Sequence, residues 1–171
     1  MELIKEIIIP RPPTFYQIKK VKKSLEAGHD VYDKYYLTSN LFFNNNTSYH
    51  IISKIVQDCK IFLLPYLKGL PEIEKMKLEI EINRMKHIDL DNVSYFWKKL
   101  FLDILKTPSK RQIDNSVKRN KNIITTNTIE DDTTKFVVEF SDKFNIGEDR
   151  LIFRIYGRVK SEQTEMNLFF K

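Results

Sequence analysis

An α+β domain, with a small mixed and mainly antiparallel sheet and helices packed on one face, is the architecture that three features of the sequence predict. Residues 73–82 (IEKMKLEIEI) alternate apolar and charged side chains, the period of a strand with one wet face. Between Tyr49 and Leu67 apolar side chains recur every three or four positions, the period of a helix with one buried face. Near the end of the chain strand-like segments follow one another directly, which favours antiparallel neighbours with helices layered against them. A length of 171 residues with 42% hydrophobic and 30% charged side chains suits one folded domain and lies far from the core-poor composition of disordered chains.

The elements follow in order. Leu3 to Ile9 is rich in β-branched residues and runs into Pro10-Arg11-Pro12-Pro13, where missing amides and fixed φ stop a ladder, so a first strand ends there. Thr14 to Ser48 keeps no period: its aromatics, the cluster Lys19-Lys20-Val21-Lys22-Lys23 and the polar run Asn44-Asn45-Asn46-Thr47-Ser48 read as irregular chain with short helical pieces. The first long helix carries Ile51, Ile52, Ile55, Val56, Cys59, Phe62 and Leu63 on one face, with Ser48 as N-cap and Pro65, Gly69 and Pro71 as its stop. A strand over 73–82 turns Met76, Leu78, Ile80 and Ile82 one way and Lys75, Lys77, Glu79 and Glu81 the other. A second helix, through Phe96, Leu100, Phe101 and Ile104, is expected to be capped by Asp91 or Asn92. Residues 106–128 hold Lys106, Lys110, Arg111, Lys118, Arg119 and Lys121 against Asp114 alone, and read as a mobile basic loop. Lys135–Phe140 and Leu151–Tyr156 are the last strands, joined through Asn145 to Asp149, with Gly147, as a hairpin.

Composition narrows the function classes. A net charge of +6 favours a polyanionic partner without requiring one. The single cysteine, Cys59, forms no disulfide within the chain, and no apolar leader segment opens it; both point to an intracellular location and away from secretion. The most apolar stretch, Ile61 to Leu67, contains Pro65 and falls far short of the roughly 20 residues of a membrane span. Four glycines leave no phosphate loop or dinucleotide fingerprint, so nucleotide cofactors are not expected.

The chemistry-bearing residues are acidic. Asp89 and Asp91 sit two apart where a strand gives way to a helix, and in extended backbone such positions project to one side. Glu130-Asp131-Asp132 precedes a later strand; if that strand neighbours the one ending near Arg84, the two groups meet at one sheet edge. Hard oxygen ligands without Cys or His suit Mg²⁺ or Mn²⁺ better than zinc, and such ions hold a scissile phosphate and generate hydroxide from water. The same residues also suit a helix cap and a solvated turn.

The run Asp89-x-Asp91-Asn92, then Lys99-x-x-x-Asp103-x-Leu105, then Asp131-Asp132-Thr133 before a strand, resembles the RusA family of Holliday-junction resolvases. The early strand into Ile9-Pro10-Arg11-Pro12-Pro13 is similar to that family's N-terminal strand and proline-rich turn. The resemblance covers residues 3–156, with its specific motifs within 89–133. It implies a RusA-like nuclease domain over 1–160, with 106–128 as an inserted basic loop. It also implies a homodimeric, Mg²⁺-dependent endonuclease of DNA recombination and repair that nicks four-way junctions symmetrically. By position it assigns Asp89, Asp91 and Asp132 to catalysis, and Asp89, Asp91, Asp131 and Asp132 to the metal. The family's lysine falls on Lys99, one turn later than in the family, where the equivalent position here is Tyr95; Lys98 competes for the role. Lys98, Lys106, Lys110, Arg111, Lys118, Arg119 and Lys121 are the candidate DNA-binding cations.

Two further signals stand apart. Residues 161–171 form a tail in which Gln163, Met166, Phe169 and Phe170 have the spacing Q-x-x-M-x-x-F-F, which resembles a sliding-clamp-binding peptide; the same residues suit a tail docked on the core. Trp97 and Tyr95 could stack on bases but equally pack in a helix interface. The alternative to a nuclease is a non-catalytic or weakly catalytic DNA-binding accessory protein recruited by a clamp.

Overall fold

The structure is a computed structural model, and it describes residues 1–44, 46–119, 123–131, 133 and 135–160. In chain order the elements are β1 (Glu2–Pro10), β2 (Phe15–Lys19), α1 (Val21–Ala27), β3 (Tyr32–Tyr36), α2 (Asn40–Phe43), α3 (Tyr49–Leu67), β4 (Ile73–Arg84), α4 (Leu90–Leu105), α5 (Lys110–Lys118), β5 (Val137–Ile146) and β6 (Arg150–Val159). A four-stranded sheet has the order β1-β6-β4-β5, and β2 and β3 form a second, two-stranded sheet. The β1–β6 and β6–β4 pairs are antiparallel and β4–β5 is parallel, so the sheet is mixed and mainly antiparallel as the sequence predicts.

Alternation decides which face is buried. Met76, Leu78, Ile80 and Ile82 of β4, Leu151, Phe153 and Ile155 of β6, and Ile7 and Ile9 of β1 are all buried, and the ladder aligns Ile80 with Phe153 and Phe153 with Ile7. Onto this face α4 lays Phe96, Trp97, Leu100, Phe101 and Ile104, and α3 lays Ile55, Cys59, Leu63 and Leu67. The Phe101 ring stacks on Phe153 at 4.1 Å, joining α4 to the central strand pair. Burial pushes the Cys59 thiol up to about 12, so it is an inert core group.

The opposite face is an ionic lattice. Arg154 of β6 donates to Glu81 of β4 at 2.7 Å and to Glu6 of β1 at 2.6 Å. The Arg154 hydrogen bond is the main cause of a Glu81 carboxyl held below the usual range. A depressed folded-state value means that this contribution is complete above the unfolded glutamate value of about 4.3 and is lost as pH falls through the folded one. Urea unfolding of wild type and Arg154→Met is therefore expected to differ most near neutral pH and to converge in acid. A difference that grows as pH falls would contradict the assignment.

Several expectations are corrected by the structure. Residues 14–48 are not mainly irregular: FYQIK and YDKYY pair antiparallel as β2 and β3, and α1 between them ends at Gly28 with φ 68°. Ser48 does cap α3, accepting from the Ile51 amide, but Pro65 lies inside the helix, which runs on to Leu67 because Leu63 and Leu67 are held in the core. Gly69, at φ 76°, then turns the chain. The stretch between β5 and β6 is no hairpin, because β4 lies between those strands and the connection crosses its end. Residues 110–118 are helical, started by a capping box between Ser109 and Gln112. Among the described residues no helix is long and apolar enough to cross a membrane.

Candidate functional site

The β4 strand hands the chain to α4 at its Arg84 end, and there the acidic pair is placed. Asp89 is the N-cap: its backbone is extended (φ −76°, ψ 99°) and its carboxylate accepts from the Asn92 amide at 3.3 Å. This corrects the expected cap, Asp91 or Asn92. Asp91 lies within the first turn of α4, so the pair is set by cap geometry and not by strand alternation. Both residues are exposed, and the positive end of α4 favours their charge. Asp91 makes no side-chain hydrogen bond or ion pair among the described residues, which leaves its oxygens available to a ligand.

Asn92 holds this arrangement. Its side-chain amide donates to the Asp89 carboxylate and its Oδ1 accepts from the Ser39 hydroxyl, both at short range, while its carbonyl accepts from the Ser39 amide at 2.8 Å. One residue thus locks the start of α4 to the turn before α2 and fixes the Asp89 rotamer. Asn92→Ala is expected to cost roughly 1–3 kcal/mol of stability, the range for stranding paired buried polar groups. Denaturant melts of wild type and variant would measure that loss.

Beneath the same turn, Ser94 donates to Asp142 of β5 at 2.7 Å, and Asp142 Oδ1 is buried with no hydrogen-bond partner among the described residues. Sequence reasoning passed over Asp142, because VVEFSDKFNI has no clean alternation to mark it as inward-facing. Beside Asp89 a cavity of about 390 Å³ is lined by Thr14, Tyr36, Thr38, Arg84 and Val93. Arg84 is 6% exposed, and its Nη1 lacks a hydrogen bond, the Asp149 carboxylate standing 3.8 Å away. Burial draws the Arg84 guanidinium down from its ordinary value, with Asp149 opposing the shift.

The candidate lysines lie farther along α4. Lys98 and Lys99 are seven and eight residues beyond Asp91, which at 1.5 Å per residue is about 10–12 Å along the axis. Lys98 comes back within about 20° of the Asp91 stripe, at 100° per residue, whereas Lys99 is turned about 80° away. The Lys98 ammonium lies 4.9 Å from the Phe140 ring of β5, and that of Lys99 lies 5.8 Å from Phe42 of α2. The intervening Tyr95 packs against Phe42 and Phe43. Asp103 is a tie, not a ligand: it pairs with Lys60 of α3 at 3.2 Å and with Lys106 at 3.3 Å.

The second acidic group is elsewhere. The strand that follows it does neighbour β4, but the pairing is parallel, Met76 opposite Val137 and Arg84 opposite Ile146. The Ile73 amide bonds to the Thr128 carbonyl, and Ile129 bridges to Lys106 just past the end of α4. Asp131 therefore stands at the far end of both β4 and α4 from Asp89. Eight strand residues, or the sixteen of α4, each measure about 25 Å. Two oxygens on one Mg²⁺ lie no more than about 4 Å apart, so within one chain Asp131 does not share an ion with Asp89 and Asp91. The expectation that the two groups meet at one sheet edge is corrected accordingly. Among the described residues no three His, Cys, Asp or Glu side chains form a metal-sized group. Asp132, Lys121 and the tail residues Gln163, Met166, Phe169 and Phe170 lie outside the described residues.

The donor set at α4 still fits a hard cation. Mg²⁺ keeps several waters and is commonly held by one or two carboxylates plus substrate phosphate oxygens. Asp89 and Asp91 each supply exposed hard oxygens of that kind, though from positions two apart at the helix start that do not face one another. The α5 helix, with Lys110, Arg111 and Lys118 exposed and Arg119 just past its end, presents cations to solvent; Lys106 is engaged with Asp103. No family model, curated protein or solved structure matches this chain.

Proposed function

We propose that the chain is an endodeoxyribonuclease of the RusA type, a homodimer that uses Mg²⁺, or Mn²⁺ in its place, to hydrolyse phosphodiesters in Holliday junctions or related branched DNA. The observation that carries this reading is the pair of exposed carboxylates at the start of α4, Asp89 held by Asn92 and Asp91 unpaired among the described residues, in a chain of net charge +6. A bound ion would supply Lewis-acid activation of water and of the phosphoryl oxygen. Asp89 and Asp91 would hold it, while Lys98 or Lys99 would offset charge developing on the phosphate. Lys110, Arg111, Lys118 and Arg119 of the α5 region, with Lys121, would displace counterions from the duplex arms.

The dimer has a further use here. A twofold-related copy, running its β5 entrance past this protomer's α4 start, would bring its own Asp131 and Asp132 to Asp89 and Asp91, and the symmetry would build two such sites at once. With Asp131 about 25 Å from Asp89 within one chain, a four-carboxylate site requires that arrangement. The tail residues Gln163, Met166, Phe169 and Phe170 would recruit a sliding clamp.

A second reading, a weakly catalytic or inactive accessory protein, is favoured by Tyr95 standing where the family has its lysine. Incubating the protein with a synthetic four-way junction decides between them. The nuclease reading expects paired nicks with Mg²⁺ and none with EDTA; binding without product under both conditions rejects it. Equal rates on linear or flapped DNA would instead mark a general nuclease.

A further inference from the structure

The β2–β3 sheet stands apart from the acidic pair and has a defined outward face. Its register opposes Phe15 to Tyr36, Gln17 to Lys34 and Lys19 to Tyr32, and these six residues are all exposed, with Phe15 at 36%, Tyr32 at 48% and Tyr36 at 60%. The inward residues anchor it: the Tyr16 hydroxyl donates to Asp58 of α3, a bond that is the main cause of its value being pushed up to about 12. The platform is therefore fixed from below and exposed above, with the Phe15 and Tyr36 rings edge to face at 6.5 Å and the Lys34 side chain lying over Phe15, so a base stacking there displaces that side chain.

Aromatic rings interleaved with lysines on a sheet face match one kind of partner. Lys34 lies 3.9 Å from the Phe15 ring centre and 5.0 Å from that of Tyr36. Around the face, residues 11–36 contain Arg11, Lys19, Lys20, Lys22, Lys23 and Lys34 against Glu26, Asp30 and Asp33. Lys19 is paired with Asp30 and Lys20 with Asp33, whereas Lys34, between the rings, makes no ion pair among the described residues and rests on Phe15 and Tyr36. Bases have apolar faces that stack on such rings while the phosphates beside them meet lysines, the combination used for single strands. Tyr32 and Tyr36 are four strand residues, about 13 Å, apart, room for the two or three bases that sheet modules stack. Tyr36 also lines the cavity that Asp89 borders, so the Tyr36 end of the face points toward Asp89.

We propose that the outward face of β2–β3 is a stacking platform for an unpaired DNA strand, leading it past Tyr32, Lys34, Phe15 and Tyr36 toward Asp89. Its destination rests on the nuclease reading; its affinity for single strands does not.

The test measures binding in EDTA, independent of any metal chemistry. Fluorescence anisotropy with labelled oligothymidylate and with a duplex of equal length would compare wild type, Phe15→Leu/Tyr36→Leu and Lys34→Gln. The leucine pair keeps apolar bulk and removes the π-faces. It is expected to weaken oligothymidylate binding about tenfold or more and duplex binding much less. Lys34→Gln should lower the salt dependence of single-strand binding by about 0.7 in log–log slope, and it reports even if the leucine pair folds poorly. Single-strand binding within twofold of wild type in folded variants, with an unchanged slope, overturns the platform. So does a leucine pair that turns a dimer into monomers by sedimentation, since the face would then be covered by a second copy. Loss of single-strand binding in a protein that cuts no junction would keep the platform and reject the nuclease. Intact junction cutting with unaltered single-strand binding would do the reverse.

Discussion

Asp91→Asn is expected to lower Mg²⁺-dependent cleavage of a four-way junction by about a thousandfold or more, close to 4 kcal/mol in the barrier, while junction affinity in EDTA stays within a few-fold of wild type. The split follows from where Asp91 stands. It lies in the first turn of an exposed helix end, makes no side-chain hydrogen bond or ion pair among the described residues, and is remote from the core face of α4. Losing its charge therefore removes an ion ligand without opening a cavity or stranding a partner. The helix keeps its cap, since Asp89 performs that function. Stability should change only by the few tenths of a kcal/mol that a first-turn carboxylate contributes. Asp89→Asn is the informative companion: asparagine also caps helices well, so it too should fold and lose cleavage. If Asp91→Asn cuts junctions at a wild-type rate, the acidic pair is only a solvated helix start, and the nuclease reading fails.

The legible parts of this fold are those in which one physical effect dominates. The alternation in β4 and the period of α3 both come from burial on one face, and both are found where expected, with Ser48 as the α3 cap. The hidden parts depend on partners distant in sequence. Residues 15–19 and 32–36 are strands because they pair with each other and Tyr16 finds Asp58, facts no local period carries. The connection over Asn145 to Asp149 has hairpin chemistry, yet β6 prefers the two hydrophobic ladders of β1 and β4, and β5 is left at the edge. At the site, D-x-D-N marks the right helix end, but the work of Asn92 is visible only once Ser39 is beside it. The direction of the β4–β5 pairing, which sets Asp131 far from Asp89, is likewise absent from either strand's own sequence.

That separation yields a second large effect. If the site is completed across a twofold axis, each active centre takes Asp89 and Asp91 from one protomer and Asp131 with Asp132 from the other. Asp91→Asn and Asp132→Asn homodimers should then both be inactive. Mixing them after mild denaturation and reassociation should restore cutting. In a mixed dimer, the intact Asp89–Asp91 pair of the Asp132→Asn chain meets the intact Asp131–Asp132 of the Asp91→Asn chain, while the other centre carries both lesions. Random reassociation makes about half the dimers mixed, each with one working centre of two, so single-strand nicking should recover to about a quarter of the wild-type rate. Paired nicking should stay near background, because one dimer then cuts only one of the two strands. A site built within one chain predicts no recovery at any mixing ratio, because every chain carries a lesion. That result would require the acidic segment before β5 to travel about 25 Å to reach α4, and would remove the argument that joins the dimer to the chemistry.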